Sequence, residues 1–275
     1  MRDRRYDVPA SQRPEVLVLG VLIGVLLIAA ISSGLVRSRA VAPAAPAPVP
    51  LAVVSPRLVP AAVPAPPACP AAPSMPAGDT MVVTAQTPTV DVHAAPAGRV
   101  ERTLSNPTRD HQPLHLRVME SIDGWHRVQM PERPNSGTGW VRSSGLTSAR
   151  TPYRILIQRC SRQLTLFRGG RPVMTEPIAI GKPTTPTPLG DFYVDFVEKW
   201  RPSSPYGPWL ISVTGFSEVF QRFGEGGVGQ IGIHGTQSAA SVGQPTSNGC
   251  IRMHNDAITR LAGLAVAGAP VLIVD

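Results

Sequence analysis

Residues 229–253 read GQIGIHGTQSAASVGQPTSNGCIRM, and the reading of this stretch decides the fold. Ile231-Gly232-Ile233 has the apolar, β-branched texture of a strand and ends on His234. A loop of Gly, Thr, Gln and Ser follows. Ser247-Asn248-Gly249 then leads into Cys250. A free thiol, with a pKa near 8.5, is mostly protonated at neutral pH. A neighbouring imidazole can take its proton and give a thiolate–imidazolium pair. The imidazole needs a third group to orient it, and a tetrahedral intermediate needs donors for its oxyanion. Glycine before the nucleophile allows a sharp bend and leaves N–H groups accessible. Gly249 and Cys250 are therefore the expected oxyanion donors, with Asn248 beside them. Arg252 adds a positive charge that lowers the thiol pKa or binds a carboxylate.

Outward from this stretch, residues 152–275 read as one β-rich domain. Tyr153-Arg154-Ile155-Leu156-Ile157 alternates toward Cys160, and Gln163-Leu164-Thr165-Leu166-Phe167 runs into the Gly169-Gly170 turn. Pro172-Val173-Met174 and Pro177-Ile178-Ala179-Ile180-Gly181 continue a β-meander. A single helix is expected near residues 256–266, capped by Asn255 or Asp256, with Ile258, Leu261, Ala262 and Ala265 on one face. Six aromatic residues between 200 and 223 (Trp200, Tyr206, Trp209, Phe216, Phe220 and Phe223) suit a substrate lid, with at least half of them expected in the core.

Residues 80–149 have another texture. Short alternating runs at Thr89–His93, 114–118 and 125–130 are broken by Gly, Pro and Asn, which predicts a small β-barrel or sandwich. Gly124-Trp125-His126-Arg127-Val128 and Gly139-Trp140-Val141 resemble the pattern of bacterial SH3-like domains. That resemblance implies a wall-binding or spacer module; a β-subdomain with no ligand of its own is the alternative.

The N-terminal part is not globular. Residues 1–15 are expected in the cytoplasm, and residues 16–36, VLVLGVLIGVLLIAAISSGLV, form an uncharged run long enough for one transmembrane helix. A cleaved signal peptide is the rival, with Ala40-Val41-Ala42 as a small-x-small site, but its apolar region is usually shorter. Arg2, Arg4, Arg5 and Arg13 outnumber Arg37 and Arg39, so the N-terminus is expected inside and the rest in the periplasm or cell-wall space. Residues 37–78 hold many of the 31 prolines and form a polyproline-type linker. At about 3.1 Å per residue it reaches on the order of 100 Å.

The chain has 275 residues and a net charge of +8. That balance attracts polyanions, yet the arginines are dispersed and no nucleic-acid motif occurs, so nucleic acid is not an expected partner. Cysteines stand at 69, 160 and 250, an odd and widely spaced set that is no disulfide framework. Cys69 is expected to be incidental or to pair between molecules, and Cys160 to be a small buried residue. A zinc site of His234, Cys250 and His254 has only loose ligand spacing, so no metal is expected.

Taken together, His234-Gly235-Thr236 and Ser247-x-Gly249-Cys250-Ile251-Arg252-Met253 resemble the signature of L,D-transpeptidases, the YkuD family. Thr187-Pro188-Leu189-Gly190-Asp191-Phe192 resembles that family's T-P-x-G-x-F segment, and Val271-Leu272-Ile273-Val274 its closing strand. The resemblance implies a mainly β, L,D-transpeptidase-type β-sandwich with one or more short helices. It implies an enzyme that cleaves a peptidoglycan tetrapeptide stem after the L-centre of meso-diaminopimelate, releases D-alanine and makes a 3→3 cross-link. Cys250 is then the acylated nucleophile and His234 the base. The carbonyl of Gly235 orients the imidazole, and Ser247 and Arg252 hold the cysteine loop. Some family members carry His where this chain has Asn248. The resemblance further implies peptidoglycan stems as partners, acylation of Cys250 by carbapenems, and no cofactor. An L,D-carboxypeptidase, an enzyme attaching proteins to the wall, and a non-enzymatic wall-binding protein are the alternatives.

Overall fold

A computed structural model describes residues 68–223 and 228–275. The expected cytoplasmic N-terminus, membrane span and most of the linker lie outside the described residues. Among those described, no helix is long and apolar enough to cross a membrane. The described residues form one compact unit.

The first half is a seven-stranded antiparallel sheet. Its strands are β1 (Thr80–Ala85), β2 (Thr89–His93), β3 (Val100–Ser105), β4 (His115–Ile122), β5 (Trp125–Gln129), β6 (Thr138–Arg142) and β7 (Leu146–Thr151), in the order β3-β2-β6-β5-β4-β1-β7. Alternation makes the core. Val83, Val90, Val92, Leu104, Leu116, Val128 and Val141 point inward, while their sequence neighbours are mostly polar. The Asp123-Gly124 turn holds both residues at positive φ, 45° and 78°, which closes the β4–β5 hairpin.

The second half contains β8 (Tyr153–Gln158), β9 (Gln163–Arg168), β10 (Arg171–Pro177), β11 (Ile180–Gly181), β12 (Gly190–Lys199), β13 (Trp209–Phe216), β14 (Gln230–His234), β15 (Pro245–Ser247), β16 (Ile251–Arg252), α1 (Asn255–Ala262) and β17 (Pro270–Val274). Eight strands make one mixed sheet in the order β10-β9-β8-β17-β12-β13-β14-β16, and β11 pairs with β15 in a small parallel ladder. The expected meander is present as β8-β9-β10, but Ile180-Gly181, expected to continue it, pairs with β15 instead. The helix is shorter than expected. His254 is its N-cap, and Gly263 closes it.

Strand parity separates core from surface. Ile155, Ile157, Leu164, Leu166, Phe192, Val194, Ile211, Val213, Ile231, Ile233 and Ile251 share one core with Ile258 and Leu261 of α1. Alternate residues of β13, β14 and the strand entering β16 must then face the other way. Those are Leu210, Ser212, Gly232, His234, Cys250 and Arg252, and all of them line a single cleft.

The two halves are fastened by polar contacts. Arg117 Nη1 donates to Asp191 Oδ1 at 2.6 Å and to the Phe192 carbonyl at 3.3 Å. Tyr193 Oη donates to the His115 carbonyl at 3.1 Å. Asn135 exchanges two hydrogen bonds with the Phe216 backbone, at 2.9 and 2.8 Å. Arg133 reaches the carbonyls of Ser217 and Phe220 at 2.8 and 3.0 Å, so the first half also holds the segment after β13.

The cysteine readings need correction. Cys69 and Cys160 form a disulfide, with Cα atoms 5.6 Å apart. Cys160 is exposed at the turn after β8, not buried. Their separation of 91 residues hides the pairing from the sequence, because it depends on how the chain before β1 crosses the second half. Cys250 remains a free thiol.

Candidate active site

The cleft encloses about 710 Å³. Its chemistry is set by the pairing of β14 with β16. These strands run parallel, with Ile233 opposite Ile251 and His234 opposite Arg252. Cys250 therefore lies beside Gly232, two residues back from His234 on the adjacent strand and on the same face. The two Cα positions are separated by two residues of rise and one strand spacing, roughly 8 Å. Side chains projecting from one face across that gap converge.

His234 is buried, and its Nδ1 lies 2.5 Å from the Gly235 carbonyl. A carbonyl only accepts, so Nδ1 carries the proton and Nε2 presents its lone pair. The turn after His234 is tightly held. Asn255 Oδ1 accepts from the Thr236 N–H at 2.9 Å. A Cβ on Gly235 would come within 2.3 Å of that oxygen and 3.1 Å of Gly207 Cα, so only glycine fits. Asn255 thus fixes the His234 turn and does not cap α1 as expected; its side chain is drawn to an N–H 19 residues away.

The cysteine loop is stapled from beneath. Ser247 is 1% exposed. Its hydroxyl donates to the Cys250 carbonyl at 2.5 Å and accepts from the Gly249 N–H at 3.1 Å. Thr187 Oγ1 donates to the Gly249 carbonyl at 2.9 Å and accepts from the Gly181 N–H at 2.9 Å. Thr185 Oγ1 and the Lys182 N–H both reach the Ser247 carbonyl, at 3.3 and 3.0 Å. The T-P-x-G-x-F segment is therefore scaffold for the nucleophile loop. Gly249 sits at φ +123°, a conformation glycine adopts without strain. The oxyanion expectation for Gly249 is corrected, because its N–H is committed to Ser247. The N–H of Cys250 has no acceptor among the described residues. Asn248 and Arg252 line the cleft. Arg252 is clamped through its backbone to Ala179, at 3.0 and 2.8 Å.

Electrostatics favour a neutral pair at rest. Burial pushes the His234 imidazole from 6.5 down to about 4; the Gly235 hydrogen bond opposes this, and Arg252 adds to it. Burial pushes the Cys250 thiol above its ordinary value, against smaller lowering effects from the Gly232 backbone and the Arg252 charge. Cys250 is partly exposed as a residue, but its sulfur is enclosed deeply enough for desolvation to dominate. Both shifts disfavour the charged forms, and Arg252, expected to lower the thiol, is outweighed there by burial.

Aromatic residues form one rim. Tyr206 meets the His234 ring edge-on, with centroids 4.8 Å apart, and Trp200 meets Tyr206 at 5.0 Å. Gln237 Nε2 holds their loop through the carbonyls of Pro202 and Ser204, at 2.6 and 2.9 Å. Phe220 and Phe223 pack together at 5.5 Å on the other side. Four of the six aromatics line the cleft, and only Phe216 and Trp209 belong to the core, fewer than expected. His254 stands at the start of α1, and no group of three His, Cys, Asp or Glu side chains converges among the described residues.

Arg109, Asp110 and Asp195 lie at or next to the cleft, although no motif marks them. For Asp195 a signal existed: it interrupts the apolar run FYVDFV, where a charge is costly without a purpose. Arg109 and Asp110 come from the first half, and only the docking of the two halves brings them here.

The family profile for the L,D-transpeptidase catalytic domain, YkuD, matches residues 152–273. The L,D-transpeptidase YkuD of Bacillus subtilis is 37% identical over 123 residues, which cover 44% of this chain and 66% of that one. The L,D-transpeptidase YqjB of Bacillus subtilis is 33% identical over 137 residues, covering 45% and 72%. Among solved structures, the catalytic domain of the Enterococcus faecium L,D-transpeptidase is 24% identical with a TM-score of 0.34, covering 44% of this chain and 95% of that one. The chain thus spans about two thirds of the length of the curated relatives it matches. It belongs to the YkuD family of L,D-transpeptidases.

Proposed function

We propose that this protein is a cysteine-dependent peptidoglycan L,D-transpeptidase that forms 3→3 cross-links. The observation that carries the reading is the β14–β16 register, which sets Cys250 and His234 on one cleft-lining face with His234 Nδ1 held by Gly235. As the Cys250 sulfur attacks the carbonyl between diaminopimelate and D-alanine, its proton passes to His234 Nε2. A pair that is neutral at rest needs no charge separation before substrate arrives. The Cys250 N–H, beside the sulfur, stabilises the oxyanion. Collapse breaks the C–N bond, His234 returns the proton to the departing D-alanine amine, and a thioester remains. The amine of a second stem then attacks the thioester. Its proton goes to His234 and on to the sulfur as the C–S bond breaks.

Residues 80–149 serve as an SH3-like module beside the catalytic domain, and residues 16–36 anchor the chain with the catalytic domain outside the cytoplasmic membrane. The Cys69–Cys160 disulfide supports that placement, since structural disulfides persist in oxidising compartments. Incubation with meropenem tests the cysteine chemistry: a single adduct on Cys250 by mass spectrometry is expected, absent from Cys250→Ala. A folded chain that forms no adduct refutes the reading. Muropeptide analysis with tetrapeptide stems then distinguishes cross-linking from release of tripeptide by water or capture by a protein amine.

A further inference from the structure

Phe220 and Phe223 form one wall of the catalytic cleft. Phe223 stands beside the nucleophile loop: a Cβ on Gly249 would meet its Cζ at 3.9 Å. Both rings come from residues after β13 that belong to no strand or helix, so no ladder of backbone hydrogen bonds holds them. Part of the hold is local. Ser217 is buried, and its hydroxyl accepts from the Val219 and Phe220 N–H groups at 3.2 and 3.0 Å. Its own N–H donates to the Gly229 carbonyl at 2.7 Å. These bonds use up donors. The carbonyls of Ser217, Phe220 and Val228 still need partners.

Arg133 supplies one from the other half. Its Nη2 lies 2.8, 3.0 and 3.5 Å from those three oxygens. Its guanidinium also lies over the Phe216 ring, 5.2 Å from the centroid. A Cβ on Gly229 would stand 2.9 Å from Nη2, so the turn is closely fitted around the cation. Among the described residues the bonds of Arg133 go to carbonyls and none to a carboxylate. Hydrogen bonds from a charged donor are roughly twice as strong as neutral ones.

The β5–β6 loop that carries Arg133 is itself held. The Met130 N–H donates to the Gly137 carbonyl at 2.8 Å, and the Gly137 N–H to the Pro134 carbonyl at 3.2 Å. Asn135 grips the Phe216 backbone, and Ser136 Oγ donates to the Asp191 carbonyl at 3.0 Å. With Arg117 and Tyr193, these contacts keep the two halves fastened without Arg133. The contacts that only Arg133 makes are those to the turn bearing the two rings.

We propose that Arg133 is a positioning residue for the active site: from the first half it holds the Phe220–Phe223 wall in place, and through that wall it sets how tightly a stem peptide binds. It acts through Phe223 and not on the reacting atoms. A wall that contacts the stem before and during transfer alike contributes uniform binding, so its loss raises KM and leaves kcat nearly unchanged. This rests on the transfer reaction proposed above.

The test compares the native full chain with Arg133→Ala, Arg133→Lys, Phe223→Ala and the double variant Arg133→Ala, Phe223→Ala. D-alanine release from a diaminopimelate tetrapeptide stem gives KM and kcat. Arg133→Ala is expected to raise KM about tenfold and to change kcat by less than about twofold. Arg133→Lys, which keeps a cation but has no fork, is expected to raise KM only about threefold, and it carries the comparison should the alanine variant fail to fold. In the Phe223→Ala background, Arg133→Ala should add less than about twofold. Chymotrypsin, which cuts after accessible aromatic residues, reads the wall without the reaction: cleavage after Phe220 or Phe223 should be at least about tenfold faster in Arg133→Ala. An unchanged KM, a loss confined to kcat, an effect of Arg133→Ala that persists in full without Phe223, or cleavage at the native rate overturns the inference. A native chain that releases no D-alanine refutes the transfer reading instead, and the chymotrypsin comparison then decides whether Arg133 holds the wall.

Discussion

Asparagine in place of Asp195 separates two opposing pH effects that the native chain superimposes. Burial pushes the Asp195 carboxyl from 3.8 up to about 6, against the lowering effect of the Gln230 hydrogen bond. Burial pushes His234 from 6.5 down to about 4. Stability changes by about 1.4 kcal/mol per pH unit for each proton by which the unfolded and folded chains differ. Between pH 6.5 and 4 His234 is protonated only when unfolded, so stability falls as pH falls. Between pH 6 and 3.8 Asp195 is protonated only when folded, so stability rises as pH falls. From pH 6 to 4 the two slopes are equal and opposite. Asp195→Asn removes one of them. At pH 7 the variant is expected to be more stable by about 3 kcal/mol, and the advantage should vanish by pH 4. Urea denaturation of both chains in half-unit steps from pH 7.5 to 4 reads the difference, in which all other titrating groups cancel. A difference that stays constant with pH, or a variant less stable at pH 7, would refute the buried-charge reasoning.

Asn255→Ala leaves the Thr236 N–H without its acceptor, a loss of about 1–3 kcal/mol in thermal or urea unfolding. It also loosens the Gly235 carbonyl, so kcat should fall more than KM rises. Ser247→Ala strips the cysteine loop of two hydrogen bonds, and carbapenem acylation of Cys250 should slow by at least about tenfold in stopped-flow measurements. The double variant Cys69→Ser, Cys160→Ser should keep its transfer activity, lose about 2–4 kcal/mol of stability and become cleavable ahead of Thr80 in limited proteolysis.

What the sequence disclosed follows from how local each determinant is. Alternation in Ile155–Ile157 and Leu164–Leu166 is a property of a few adjacent residues, so the strands are legible. The Gly235 carbonyl was expected from the family resemblance alone, and the structure places it on His234 Nδ1. The Cys69–Cys160 bridge, the grip of Asn255 on Thr236 and the arrival of Arg109 at the cleft depend on segments distant in the chain. No spacing rule encodes them. The role of Gly249 was misread for a subtler reason. Its N–H is accessible in principle, but Ser247 folds back over two residues and takes it first. The direction of the thiol's shift was misread because a charge beside a thiol is visible in sequence while desolvation is not.

That last point bears on how the site survives where the disulfide forms. A thiolate is the species that oxidants and other disulfides attack. A thiol whose pKa burial has raised is mostly protonated, so Cys250 at rest presents little of that species. The two remaining cysteines are joined to each other and offer no partner for it. The same burial keeps His234 unprotonated through the neutral range and ready as a base. One physical cause, burial at the face where β14 and β16 meet, thus suppresses unwanted thiolate chemistry and readies the base for substrate. A substituent that let water reach the sulfur would undo both together, making alkylation faster while slowing transfer.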